Sequence, residues 1–385
     1  MAQPLLPSPL SLRSVTLRNR IVVSPLCQYS AVEGMANDWH FAHLARFALG
    51  GAGMVFVEAT AVHRDGRITH GDMGLWSDEQ VPPLRRIAAF LSSQGAVPAI
   101  QLAHAGRKAS MQRPWHGNGP LDDSDRARGE TAWRIVAPSA LPMDEGWLMP
   151  VELGRDEMAM LREQWRVAAL RAIDAGFEAV ELHSAHGYLL NTFLSPLGNR
   201  RNDAYGGDRA GRMRFPLEIA ETLRAAWPKD RPVFVRISSV DGVDDGWTLE
   251  DSIAYAQELK VRGIDVIDCS SGGIAGSATA QRIPRRPGFQ VPFAERIRRE
   301  AGIKTMAVGL ILEPQQAEDI LGEGQADLIA IGRQALFDPN WPLHAERALA
   351  GEAADFAHWP VQEGWWLERR EAGLRALRRD ALRDA

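Results

Sequence analysis

The chain has 385 residues, 45% hydrophobic and 24% charged, with a formal net charge of −5 when its ten histidines are counted neutral, the balance of an ordinary soluble globular protein. Such a charge gives no reason to expect nucleic acid or an anionic membrane as partner. Two cysteines, Cys27 and Cys269, exclude a disulfide framework and a zinc pattern, which suits a reduced, cytoplasmic setting.

Positions 1–12 lack the basic start and long apolar core of a signal peptide. No uninterrupted apolar run is long enough to cross a bilayer. Short runs rich in β-branched residues then alternate with helical patterns about eight times. Strands are predicted at 21–24, 54–59, 97–102, 179–183, 233–237, 266–269, 305–308 and 328–331. Most are apolar throughout, as strands buried on both faces must be. Helical spacing of apolar residues marks 157–175, 208–227 and 249–262. Gly176, Gly263 and Gly302 each follow a helical run, where a left-handed helix end favours glycine.

Eight strand–helix units without a second composition regime predict an α/β fold, a (β/α)8 TIM barrel forming one domain over 1–385. The alternative is an open doubly wound sheet, but no Gly-x-Gly-x-x-Gly follows a first strand. Positions 104–150 are too long for an ordinary loop and are expected to cap the barrel mouth, with a solvated charged stretch at 122–130. The tail, 353–385, carries Trp359, Trp365 and Trp366, indoles expected to dock on the chain's own barrel or on a neighbouring subunit of a homo-oligomer.

In barrels of this kind active sites lie at the C-terminal strand ends, and polar residues gather there. The seventh and eighth strands end in Val308-Gly309 and Ile331-Gly332-Arg333. They read either as a phosphate site, with backbone N–H groups and a guanidinium fork as donors, or as two tight turns beside a surface arginine. The fourth ends in His183-Ser184-Ala185-His186-Gly187-Tyr188. The two imidazoles could bind a metal, but a third ligand is missing nearby. They could instead hold a substrate oxygen with Tyr188 as proton donor, or be structural. Arg236, after Val233-Phe234-Val235, points into the mouth and needs an anion, either a ligand or Asp268 or Glu181. Cys27 reads equally as a small buried hydrophobe.

Taken together, the strand ends resemble the old yellow enzyme family, NADH:flavin oxidoreductases. They are most similar to its cysteine-containing branch of xenobiotic reductases and thermophilic-type ene-reductases. The motifs are Ser24-Pro25-Leu26-Cys27-Gln28-Tyr29, Trp76-Ser77-Asp78, Gln101-Leu102-Ala103-His104-Ala105-Gly106-Arg107-Lys108, His183 to Tyr188, Asn199-Arg200-Arg201, Asp268-Cys269-Ser270-Ser271-Gly272 and Ile331-Gly332-Arg333. The resemblance covers about 5–345.

It implies non-covalent FMN at the barrel mouth, reduced by NADPH or NADH. Ser24, Pro25, Leu26, Cys27, Ala59 and Gln101 would line the ring. Arg236 would lie by N1, where a fixed guanidinium favours the anionic reduced form, and Gly309, Gly332 and Arg333 would hold the phosphate. An activated alkene, an α,β-unsaturated carbonyl or nitro compound, would then be bound through its oxygen by His183 and His186. It would receive hydride at the β-carbon and be protonated at the α-carbon by Tyr188, with Tyr29 and Lys108 at the pocket wall. Cys27 would tune the flavin by hydrogen bonding. The chain departs from its relatives at Pro360-Val361-Gln362-Glu363, where many carry a tyrosine. Trp365 or Trp366 stands where some insert an arginine into a partner's site. The basic loop 282–286 is expected near the substrate entrance.

Other classes fit less well. A dienoyl-CoA reductase needs four cysteine ligands for its cluster, and a Schiff-base aldolase needs a lysine at a strand end, where only Lys108 comes near. A metal-dependent barrel hydrolase and an FMN-binding redox sensor without turnover remain as alternatives.

Overall fold

The computed structural model describes residues 3–275, 283–351 and 354–383. Its strands are β1 Leu10–Leu12, β2 Val15–Leu17, β3 Ile21–Val23, β4 Met54–Ala61, β5 Val97–Ala103, β6 Val136–Ala137, β7 Val151–Glu152, β8 Ala179–Ser184, β9 Val233–Ser238, β10 Val266–Ser270, β11 Lys304–Val308 and β12 Leu328–Ile331. The α-helices are α1 Asp38–Leu49, α2 Val81–Ser93, α3 Asp123–Ala127, α4 Arg155–Asp174, α5 Leu189–Leu194, α6 Arg209–Ala226, α7 Leu249–Val261, α8 Val291–Ala301, α9 Pro314–Gly322, α10 Arg333–Phe337, α11 Trp341–Ala350 and α12 Val361–Arg383.

Eight strands close into a parallel barrel in the order β10-β11-β12-β3-β4-β5-β8-β9. These are the eight segments expected from the sequence, each with ends within two residues of its expectation, and the fold is the anticipated TIM barrel. The antiparallel hairpin β1–β2 was not anticipated. The excursion after β5 holds short helical turns, α3 and the two-residue pair β6–β7.

Side-chain alternation divides the core in two. Val180 and Leu182 on β8, with Val233, Val235 and Ile237 on β9, face outward and pack with the helices. Helix α4 meets them with Met158, Leu161, Trp165, Ala168, Ala169 and Ala172, one buried stripe at helical spacing. Each large apolar side chain buried in this way stabilises by roughly 1.5–3 kcal/mol.

The other parity fills the barrel. Ala99, Ala179, Phe234 and Val266 form an inner cluster, and Leu12, Val15 and Leu17 of the hairpin close it from below. Two residues further along the same strands stand Gln101, Glu181, Arg236 and Asp268, a polar layer above an apolar floor. Two residues further again, His183, Ser238 and Ser270 reach the mouth. The interior is a packed core with chemistry at one end, as expected of the architecture.

At the C-terminus Trp359 packs on Phe356 and on His344 of α11, with ring centroids 5.7 and 5.6 Å apart. Trp365 and Trp366 on α12 pack edge-to-face against each other and stay exposed. Ala353, the first residue of the expected tail, lies outside the described residues. Among the described residues, no helix is long and apolar enough to cross a membrane.

Candidate active site

A cavity of about 420 Å³ opens at the C-terminal ends of the strands. Of the residues expected to bind cofactor, Ser24, Pro25, Leu26, Arg236, Gly309, Gly332 and Arg333 line it, together with His186 and Lys108. Gly309 has φ +118°, a region that L side chains avoid, and a Cβ there would come within 2.8 Å of Gln290 Nε2. At Gly332 a Cβ would meet only Leu26 Cδ2, at 3.5 Å, so the chain's own packing does not demand glycine there. Arg333 is exposed at the start of α10.

The turn between β8 and α5 carries the histidines. The chain leaves β8 at Ser184, turns through His186 at φ +60° and Gly187 at φ +74°, and enters α5 after Tyr188. A left-handed histidine costs of order 1–3 kcal/mol. It is held by its N–H donating to Ser238 Oγ at 2.9 Å and by its carbonyl accepting from Lys108 Nζ at 2.8 Å. Gly187 lies so close to the loop after β10 that a Cβ would meet Gly273 O at 2.1 Å.

The result is a tight cluster. The ring of His183 stands edge-to-face to His186 and to Tyr188, with centroids 5.2 and 4.8 Å apart. His183 Nδ1 accepts from the Ala185 N–H at 3.2 Å, which puts the ring proton on Nε2 and leaves that nitrogen a donor. His186 Nε2 lies 2.6 Å from Ser270 Oγ. Burial, reinforced by the nearby Arg236 and Lys108 charges, holds both imidazoles well below the ordinary histidine range, so both are neutral. Burial and then Cys27 push the Tyr188 phenol well up, and it keeps its proton. Among the described residues, no three His, Cys, Asp or Glu side chains are grouped to hold a metal ion.

Cys27, Tyr29 and Tyr188 pack against one small apolar cluster with Ile68 and Met111. Tyr29 has φ +50° and stands edge-to-face to Trp115. Burial, then the Glu58 and Asp72 carboxyls, drive the Cys27 thiol well up, while the Ala59 N–H opposes the shift. Cys27 is therefore a neutral thiol, not a thiolate. Ala59 sits where the β4–β5 register shifts, and with Tyr188 and Asp72 it lines a second, much smaller pocket. Gln101 is buried and donates through Nε2 to Glu181 Oε1 at 2.7 Å; it does not line the large cavity. Arg236 Nε lies 3.0 Å from Asp268 Oδ2, the protein partner that its sequence position suggested.

Phe289 and Gln290 line the cavity without any sequence signal. Ser271 Oγ donates to Gln290 Oε1 at 2.5 Å, and Gln290 Nε2 donates to the Val308 carbonyl at 3.0 Å, tying the loop after β10 to the end of β11. Arg285 of the basic loop lines the cavity, while Arg282 lies outside the described residues. Lys108 is nearly enclosed, and burial, then Arg107, lowers its ammonium to about 8. Polar residues at every second position of apolar strands were the signal that could have found Glu181 and Asp268 as one group.

The model of the NADH:flavin oxidoreductase / NADH oxidase family matches residues 6–352. A NADPH dehydrogenase of Geobacillus sp. (strain WCH70) is 43% identical over 360 residues, covering 93% of this chain and 98% of that protein. One from Listeria monocytogenes serotype 4a (strain HCC23) is 45% identical over 340 residues, covering 88% and 93%. Among solved structures, morphinone reductase in complex with tetrahydroNAD superimposes with a TM-score of 0.73 at 26% identity, covering 90% of this chain and 92% of that one. With a parallel barrel, a cavity at its mouth and a family match over most of its length, the chain belongs to the NADH:flavin oxidoreductase / NADH oxidase family and is an NAD(P)H-dependent flavin oxidoreductase.

Proposed function

We propose that the protein is an FMN-dependent ene-reductase of the old yellow enzyme type, in its cysteine-containing branch, and that it reduces activated alkenes at the expense of NADPH or NADH. The carrying observation is the convergence on one barrel mouth of a neutral His183–His186–Tyr188 cluster and a cavity walled by Arg236, Gly309, Gly332 and Arg333. The relatives' name, NADPH dehydrogenase, and the tetrahydroNAD complex of morphinone reductase support a nicotinamide reductant.

The residues fit FMN. Ser24 Oγ is buried without a hydrogen-bond partner on the cavity wall, and a buried polar group of this kind calls for one; Arg236, ion-paired with Asp268, lines the same wall. At the other end Gly309 and Gly332 open the backbone, and Arg333 offers a fork suited to phosphate. Ser24 to Leu26 and Arg236 would hold the ring, with Ala59 and Gln101 at its far edge. Gly309, Gly332 and Arg333 would hold the phosphate. FMN, when bound, would supply the two-electron chemistry that links the nicotinamide to the alkene.

The remaining work belongs to the chain. His183 Nε2–H and the His186 imidazole donate to the substrate's carbonyl or nitro oxygen and polarise the double bond. Tyr188 Oη holds the proton that goes to the α-carbon, and Tyr29 closes the wall. Cys27 stays a thiol and would donate a weak hydrogen bond to the ring edge.

Titration of the purified chain with FMN, followed anaerobically by NADPH oxidation with and without 2-cyclohexenone, tests the reading. The expected result is a yellow one-to-one complex whose NADPH oxidation is sustained by the enone. A chain that takes up no FMN refutes it. Flavin that is reduced once and then idle, whatever alkene is added, points to the redox sensor instead.

A further inference from the structure

Four adjacent strands, β5, β8, β9 and β10, carry Gln101, Glu181, Arg236 and Asp268 on their inward face just above the apolar cluster, Phe234 being registered opposite Glu181 and His183 opposite Arg236. Gln101 is registered opposite Glu181, and Arg236 opposite Asp268. Glu181 and Asp268 are fully buried, and Arg236 nearly so. Two carboxyls therefore face one guanidinium, above an apolar floor that admits no counter-ion. We infer that Glu181 and Asp268 carry one proton between them, Asp268 being the carboxylate that compensates Arg236 and Glu181 the neutral acid. The guanidinium at the ring site then acts as half of an ion pair and not as a free cation. The inference rests on the FMN reading above.

Geometry decides which acid keeps the proton. Asp268, whose oxygens accept no hydrogen bond, has the guanidinium at 3.0 Å, whereas Glu181 is in no ion pair among the described residues and accepts one hydrogen bond, from the neutral Gln101 amide. An ionised Glu181 would be a second buried charge whose only nearby cation, Arg236, is already paired with Asp268, and such a group neutralises instead. Burial raises both groups. At Glu181 the neighbouring Asp268 adds to the effect, while at Asp268 the guanidinium opposes it. The other ionisable groups facing the layer leave the count unchanged. His183 and His186 are neutral imidazoles, and Tyr188 is a neutral phenol. Lys108 is tied at the mouth to the His186 and Gly273 carbonyls. Glu58 on β4 turns to the Gln28 N–H and His40.

The consequence is a lever on the flavin. Reduced flavin is anionic and oxidised flavin neutral, so the net charge of this layer sets how much more tightly the reduced form is held. Asp268→Asn removes the compensating charge and leaves the cation unmasked. Glu181→Gln replaces one neutral group by another. The experiment measures the two-electron midpoint potential of bound FMN in the wild type and both variants, and the infrared carboxyl band of the full-length wild type against Glu181→Gln. Asp268→Asn is expected to raise the ratio of affinities for reduced over oxidised flavin tenfold or more, about 30 mV upward for a two-electron couple. Glu181→Gln is expected to change it less than threefold, and a protonated-carboxyl band is expected to vanish in that variant. An unchanged potential in Asp268→Asn, an equal rise in Glu181→Gln, or no such band overturns the inference. If Asp268→Asn is recovered unfolded, the two Glu181 measurements still decide. A wild type that binds no FMN refutes the cofactor reading itself, and the infrared band then decides the shared proton alone.

Discussion

At position 188 the burial that hides the phenol also decides its chemistry. A tyrosine whose proton affinity is pushed up by an apolar setting and by neighbouring acid groups holds its proton at every physiological pH. Only a strong base would take that proton, such as the carbanion-like α-carbon of the proposed reaction. Replacing Tyr188 by Phe should therefore leave flavin reduction by NADPH intact and slow alkene reduction by about 10²–10⁴-fold, the usual range for a positioned acid. Stopped-flow measurement of the two half-reactions checks this, and equal slowing of both would remove the assigned role. Cys27 is a different case. Its thiol is neutral, so a Cys27→Ala variant loses a weak donor and little packing. The bound flavin's potential should shift, with a urea midpoint close to wild type, and an unmoved potential would return Cys27 to the role of a small hydrophobe.

The elements show how much of this was legible beforehand. All eight barrel strands stood out because strands buried on both faces read as short, mostly apolar runs rich in β-branched residues. The hairpin β1–β2 did not, because three-residue strands with an exposed middle residue leave no period to detect. At the site, the strand-end residues were readable from position alone. The turning of Gln101 toward Glu181 was not, since it depends on the register between two strands far apart in sequence. The tie from Ser271 through Gln290 to Val308 likewise appears only when the loop after β10 meets the end of β11. The ends of β11 and β12 make their own prediction. Arg333→Ala deletes a charged donor from the wall beside Gly309 and Gly332. FMN affinity should fall by about 10- to 150-fold, the equivalent of about 1.5–3 kcal/mol for a hydrogen bond to a charged group. Riboflavin, which has no phosphate, should bind wild type and variant alike. A parallel loss of riboflavin binding in fluorescence titration would mean the arginine serves the fold instead.

For the molecule as a whole, buried histidines govern the response to acid. Burial lowers His40 to about 4, and His43 and His104 to about 3. A depressed histidine contributes stability that is present above its unfolded value of about 6.5 and lost as the pH falls toward the folded value. Asp72 and Asp241, raised by burial to about 6, act with the opposite sign. Their contribution is lost as the pH rises through about 6 and recovered on acidification. With His63, His183 and His186, six histidines are lowered by burial, against five raised carboxyls once Glu58, Glu181 and Asp268 join the two aspartates. Between pH 7 and pH 5 the two sets largely offset each other, and the stability should drop by only about 1 kcal/mol, of the order of one group's 1.36 kcal/mol per pH unit. Urea titrations at the two pH values measure it, and a midpoint that rises on acidification would show that the carboxyls prevail.

The hairpin under the barrel has a reach out of proportion to its size. Leu12, Val15 and Leu17 seal the base on which Phe234 and Val266 rest, one layer beneath Arg236 and Asp268. Wetting that base, as Leu17→Asn would, raises the local dielectric constant from below and weakens every charge interaction above it. A substitution in a segment that touches neither cofactor nor substrate would then register as an altered hue of the bound chromophore, making the protein's colour a gauge of how dry its foundations are.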